Sequence, residues 1–207
     1  MRDSDFHFKS NKTLPRPKNI ILVGLTGGGK TIIGQSLAQQ FGLGFLDLDQ
    51  TIEESQKKKI DVICTENGIS YFRDLESKGI AGLVPICNHV IATGSGALQK
   101  DENFQFLKEI GLFIWIDTPL TTIAWRLSRN LSELKKRPLL ADLSSEGDAK
   151  QRYLGLVQRL EAMLVERGER YREAEVVFRD SSSAPEICAR RIIHLIGRHL
   201  SGKKSPN

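Results

Sequence analysis

The segment Gly24-Leu25-Thr26-Gly27-Gly28-Gly29-Lys30-Thr31 restricts what this chain can fold into more than any other. It matches the pattern GxxxxGK[ST], and its flanks are those the pattern requires. An apolar run at residues 20–23 reads as a buried strand, and Ile33, Leu37 and Phe41 recur behind the motif at helical spacing, with Gly42 where that helix would stop. The residue types follow from the chemistry of holding a polyphosphate. Glycines let backbone N–H groups face phosphate oxygens unobstructed, and the helix that follows turns the positive end of its dipole toward the same charge. Lys30 is then expected to reach the β- and γ-phosphates of ATP, and the Thr31 hydroxyl to bind Mg²⁺. Gly27, Gly28, Gly29, Lys30, Thr31 and Ile32 are the candidate nucleotide contacts.

Beyond the loop, strand-like and helix-like stretches keep alternating. Short strands are expected around residues 45–48, 89–92, 112–116 and 176–178. Helical patterns fall at 50–83 and 103–109, from Pro119 to about 128, over 149–167, and in a closing segment with Pro185 in its first turn. Parallel strands need crossover connections, and these are usually helical, so the pattern predicts an α/β fold: a three-layer α/β/α P-loop NTPase with a central parallel sheet of about five strands. Ligands in such sheets bind beyond the carboxyl ends of the strands, where Gly24, Asp47, Gly94 and Asp117 would emerge.

The 207 residues suit one domain, expected at 20–200, between a polar basic leader (1–19) and a basic tail (201–207). The net charge of +5 is carried by the ends. Arg2, Lys9, Lys12, Arg16 and Lys18 outnumber Asp3 and Asp5 in the leader, and residues 189–207 hold five basic side chains and no acid. The interior is therefore net acidic, which argues against a nucleic-acid-binding core. No apolar run approaches the roughly 18 residues of a membrane helix, and the N-terminus lacks the apolar core of a secretion signal. Cys64, Cys87 and Cys188 fit neither a zinc pattern nor a disulfide framework, so a reducing cytoplasm is expected.

A second site is suggested by Phe45-Leu46-Asp47-Leu48-Asp49. Alternate residues of an extended chain share a face, so both carboxylates are expected to point into the site; Asp49 reads equally well as a helix cap. In the same way Arg73, taken alone, reads as an exposed helix residue paired with Asp74 or Glu76, and Arg167 as a charge favoured at a helix C-terminus.

The ordered set of motifs resembles the shikimate kinase family from Ile20 to about Ala174. The matching segments are GLTGGGKT, then LDLD followed by Ile52-Glu53, then Asn67-Gly68 ahead of Phe72-Arg73-Asp74-Leu75-Glu76. They continue with Thr93-Gly94-Ser95-Gly96-Ala97, Arg137-Pro138-Leu139-Leu140, and Arg167 with Tyr171 and Ala174. The resemblance implies a cytoplasmic, monomeric kinase that moves the γ-phosphate of MgATP to the 3-hydroxyl of shikimate. Asp47 would join Thr31 at Mg²⁺, and Asp49 would bind the acceptor hydroxyls and take the proton of the attacking one. Arg73, oriented by Glu76, and Arg167 would grip the acceptor carboxylate over a floor made by Gly94, Ser95 and Gly96. Arg137 would lie in a mobile lid at about 128–150 and act on the phosphates, and Arg126 would pack on the adenine. For Arg126 a solvated helix position is the competing reading.

Two positions depart from the family's pattern: Ser95 stands in the middle of its glycine triplet, and Ile69 replaces the acid after Gly68. Both fall on the acceptor side. They leave open a different carboxylate-bearing acceptor, or a nucleotide-binding protein without catalysis.

Overall fold

The computed structural model describes residues 18–179 and 183–202. The expected leader and tail therefore lie largely outside the described residues. Five parallel strands, β1 (Ile20–Val23), β2 (Gly44–Asp47), β3 (His89–Ala92), β4 (Leu112–Ile116) and β5 (Val176–Phe178), form one sheet in the order β2-β3-β1-β4-β5. Every residue of β1 and β4 is buried, as a central strand covered on both faces demands. Helices α1 (Lys30–Phe41) and α8 (Pro185–Gly202) cover one face, where Leu22, Leu37, Ile114 and Ile192 share a core. The other face packs Ile21, Ile91 and Phe113 against α4 (Asp101–Ile110), α5 (Leu120–Arg129) and α7 (Ala149–Arg172). These are the three layers that the alternating pattern predicts.

Asn19 closes the amino ends of the central strands. Fully buried, it donates from Nδ2 to the carbonyls of Ile86 (2.9 Å) and Ile110 (3.1 Å), and its Oδ1 accepts from the His89 amide (3.1 Å). At the opposite, carboxyl ends the strand order reverses about β1. The segments after β1, β2, β3 and β4 therefore converge on one rim.

Two local features differ from the expectation. The helical stretch after β2 is two helices, α2 (Leu48–Gln56) and α3 (Ile60–Ala81), and α3 is interrupted at Gly68, whose φ of 83° belongs to the left-handed region open to glycine. The strand expected to run through Leu48 ends at Asp47, because the Asp47 side chain accepts from the Asp49 (3.0 Å) and Gln50 (3.3 Å) amides and starts α2 there. Asp47 and Asp49 therefore do not share a strand face: one is a helix cap and the other stands in the first helical turn. The hydrophilic stretch near 128–150 is built from α6 (Leu131–Lys135) and a 3-10 helix (Ala141–Ser145), and it is anchored by Leu134 and Leu140, both fully buried.

Candidate active site

The loop after β1 takes its shape from three glycines with positive φ: Gly24 (140°), Gly27 (75°) and Gly29 (94°). At Gly24 and Gly27 substitution meets a lack of space as well as strain. A Cβ on Gly24 would stand 2.6 Å from the Ile116 carbonyl oxygen, and one on Gly27 would stand 2.9 Å from Ile123. Thr118, just past β4, fastens the loop by donating to the Gly28 carbonyl at 2.8 Å. Gly29 begins α1 without a side-chain cap, so the first-turn N–H groups of that helix are left for an external anion.

Lys30 is buried, and its ammonium donates to the carbonyls of Gly24 (2.9 Å) and Leu25 (3.0 Å). An ammonium has three N–H donors, which leaves one for a phosphate oxygen. Burial lowers its pKa to about 8, against the opposing pull of Asp49 and Asp47. Thr31 Oγ1 donates to Asp47 Oδ2 at 2.7 Å, while Oδ1 of the same carboxylate caps α2. This all-oxygen pair suits a hard cation such as Mg²⁺, which keeps most of its waters and needs only one or two protein oxygens. Among the described residues no three His, Cys, Asp or Glu side chains gather as a metal cluster.

Beside the loop lies a cavity of about 80 Å³ whose walls include Thr26, Asp49, Phe72, Arg73, Glu76, Gly94, Ser95 and Arg137. The Arg73 guanidinium is ion-paired through Nη1 with Glu76, a residue only 2% exposed. Asp49 Oδ1 and Glu76 Oε1 are buried without hydrogen-bond partners. Burial raises the Asp49 pKa to about 7, and the Asp47 and Glu76 carboxylates add to the effect. Burial likewise raises Glu76, against the lowering pull of Arg73. The floor has no spare room, since a Cβ on Gly94 would collide with Glu76 Oε1 and one on Gly96 would overlap the Arg73 guanidinium.

Arg137 lines the same cavity, its Nη1 held by the Glu133 carbonyl and, at 3.2 Å, by Glu133 Oε2; its Nε is buried and without a hydrogen-bond partner. Arg167 is 5% exposed and does not line this cavity. It lines a neighbouring one of about 330 Å³, and the two cavities share Ser95. Ile32 is exposed, and Arg126 is half-buried near the start of α8, where its charge lowers the Cys188 thiol against the larger effect of burial. Neither borders either cavity. A larger cleft of about 610 Å³ between β5 and α8 holds none of the candidate residues, so volume alone does not mark the site.

Three supporting residues escape a reading of the sequence. Thr118 follows a strand end where a loop contact is to be expected, and Glu133 on α6 lies four residues before Arg137, which follows the end of that helix. Lys136 also reaches the cavity wall, with no pattern to announce it.

A parallel sheet with a glycine phosphate cradle at its central strand, opening on an acidic and basic pocket, defines the class of P-loop phosphotransferases. The shikimate kinase family model matches residues 26–197 of this 207-residue chain. The chain belongs to the shikimate kinase family. A shikimate kinase of Nostoc punctiforme is 34% identical over 188 residues, which is 90% of this chain and 95% of that one. The shikimate kinase of Persephonella marina is 44% identical over 123 residues, 59% of this chain and 73% of the relative. Among solved structures, a shikimate kinase from Acinetobacter baumannii in complex with shikimate superposes with a TM-score of 0.77 at 33% identity, covering 91% of this chain and 96% of that one.

Proposed function

We propose that this chain is an ATP-dependent phosphotransferase that moves the γ-phosphate of ATP to the 3-hydroxyl of shikimate, in the pathway that supplies aromatic amino acids. The observation that carries the reading is a juxtaposition. Thr26 of the phosphate loop lines the same cavity as Asp49, Arg73 and the glycine floor, so a bound polyphosphate and a small acidic acceptor would meet there.

Asp49 is suited to take the proton of the attacking hydroxyl, because a carboxylate with a pKa near 7 exchanges protons easily at neutral pH. Arg73, held by Glu76, presents a planar fork to the acceptor carboxylate, with Arg167 as its second anchor. Gly94, Ser95 and Gly96 offer backbone to the acceptor ring. Lys30 and Arg137 bring positive charge to the phosphoryl group in transfer, and ADP leaves with the bridging oxygen. Thr31 and Asp47 would hold Mg²⁺, which neutralises phosphate charge when bound. The segment carrying Arg137 acts as a lid that excludes water and so suppresses hydrolysis of ATP. Ile32 and Arg126 complete the nucleotide side, Arg126 against the adenine.

The chain acts as a cytoplasmic monomer without nucleic-acid or membrane partners. Three free cysteines suit a reducing compartment. The test is calorimetric titration with shikimate in the presence of MgADP, followed by coupled ADP-release turnover with MgATP. Saturable binding and turnover support the reading, and a background rate at saturating shikimate overturns it.

A further inference from the structure

Position 95 differs in chemistry from its neighbours for a reason visible in the turn after β3. Gly94 and Gly96 face the Glu76, Asp49 and Arg73 cluster so closely that a Cβ on either would push one of those side chains aside. The side chain between them meets Arg167 instead, whose Nη1 donates to Ser95 Oγ at 3.0 Å. The backbone of the same residue is fixed as well: the buried Tyr171 hydroxyl donates to the Ser95 carbonyl at 2.6 Å. Burial raises the Tyr171 pKa and keeps that hydroxyl a donor. Arg167 and Tyr171 lie one turn apart on α7 and both clasp this one residue.

Besides Ser95, the buried Arg167 side chain is ion-paired with Glu166 and interacts with that of Tyr171. Its Nε is buried without a hydrogen-bond partner, and Glu166 Oε2 stands 3.6 Å away, beyond hydrogen-bonding reach, while Glu166 itself is engaged by Gln99. Without the serine hydroxyl, Nη1 would lose this hydrogen bond inside a side chain that is only 5% exposed. With it, one nitrogen is committed and the remaining donors keep a fixed direction.

We propose that Ser95 is a positioning residue, whose hydroxyl, held in register by Tyr171, pre-sets the Arg167 guanidinium for a carboxylate-bearing acceptor. This rests on the acceptor site assigned above. A guanidinium already oriented loses less freedom when its fork closes on a carboxylate, so the serine acts on acceptor affinity and leaves the nucleotide side alone.

Ser95→Ala removes the hydroxyl and keeps the Cβ. It is expected to raise the KM for shikimate about tenfold, a shift suited to losing one hydrogen bond to a charged group, with kcat and the KM for MgATP within about twofold. Ser95→Thr retains Oγ and restores most of the affinity. In an Arg167→Met background, Ser95→Ala has no further effect, because the serine works through the arginine. Nitrogen-15 NMR of the arginine side chains gives a readout independent of turnover: rotation of the Arg167 guanidinium quickens in Ser95→Ala. An unchanged shikimate KM, a fully additive double variant or an unchanged rotation rate would each overturn the proposal. Wild-type protein that binds no shikimate would overturn the assigned function and the acceptor half of the proposal with it, leaving the NMR comparison to decide the Ser95–Arg167 bond alone.

Discussion

Replacing Asp49 with asparagine is expected to stabilise the protein above neutral pH while stopping its chemistry. Asp49 Oδ1 is buried without a partner, and burial together with the Asp47 and Glu76 carboxylates raises its pKa from 3.8 to about 7. By that rise the ionised side chain costs the folded state at most about 4 kcal/mol. Between those two pKa values the folded state binds the proton and the unfolded chain does not, so stability falls as pH rises through the window. The penalty is absent below about pH 4 and fully present above about pH 7. Asparagine has nearly the same shape and no charge to desolvate. If relaxation and entering water remove half of the ceiling, about 2 kcal/mol remains, which raises Tm by about 4–8 °C for a chain of this length. Thermal unfolding followed by circular dichroism without nucleotide, at about pH 4.5, 6 and 8, would show the difference between variant and wild type widening with pH. A variant no more stable than wild type at about pH 8, or a difference that ignores pH, would refute the reasoning. Turnover of the variant should fall by about a hundredfold or more.

The remaining expectations concern binding and the nucleotide side. Arg73→Ala should raise the KM for shikimate about ten- to a hundredfold, the loss of a charged hydrogen-bonded contact, with the MgATP KM little changed; equal effects on both substrates would place Arg73 elsewhere. Lys30→Ala should abolish turnover, and in wild type kcat/KM for ATP should decline as pH rises through about 8, where the buried ammonium loses its proton. A profile flat to about pH 10 would contradict that assignment. Asp47→Asn should raise the Mg²⁺ concentration needed for half-maximal rate by about tenfold, read by metal titration of the coupled assay, and EDTA should silence both proteins.

The architecture was legible because its signals are long and periodic. The buried run of β1, the glycine loop and the apolar spacing of α1 admit one arrangement, and the parallel sheet follows from repeating it. The acceptor side was less so, since its geometry depends on single residues with two roles. Asp47 ends a strand and caps a helix in one step, and a pattern of alternating residues does not reveal which amide its carboxylate will find. Hydrophilic composition around residues 128–150 likewise concealed Leu134 and Leu140, two isolated anchors without a period. Arg167 was found by resemblance, but its place behind Ser95, outside the first cavity, depends on a tertiary contact across 72 positions of sequence.

The crowded turn after β3 also sets how this enzyme can diverge. At Gly94 and Gly96 a Cβ would displace the ends of the Glu76, Asp49 or Arg73 side chains, so a library saturating those positions and selected for turnover should return mostly glycine. Position 95 is the outlet: its side chain meets Arg167 and not the crowded cluster, so under the proposed role small polar variation there would adjust the aim of the arginine.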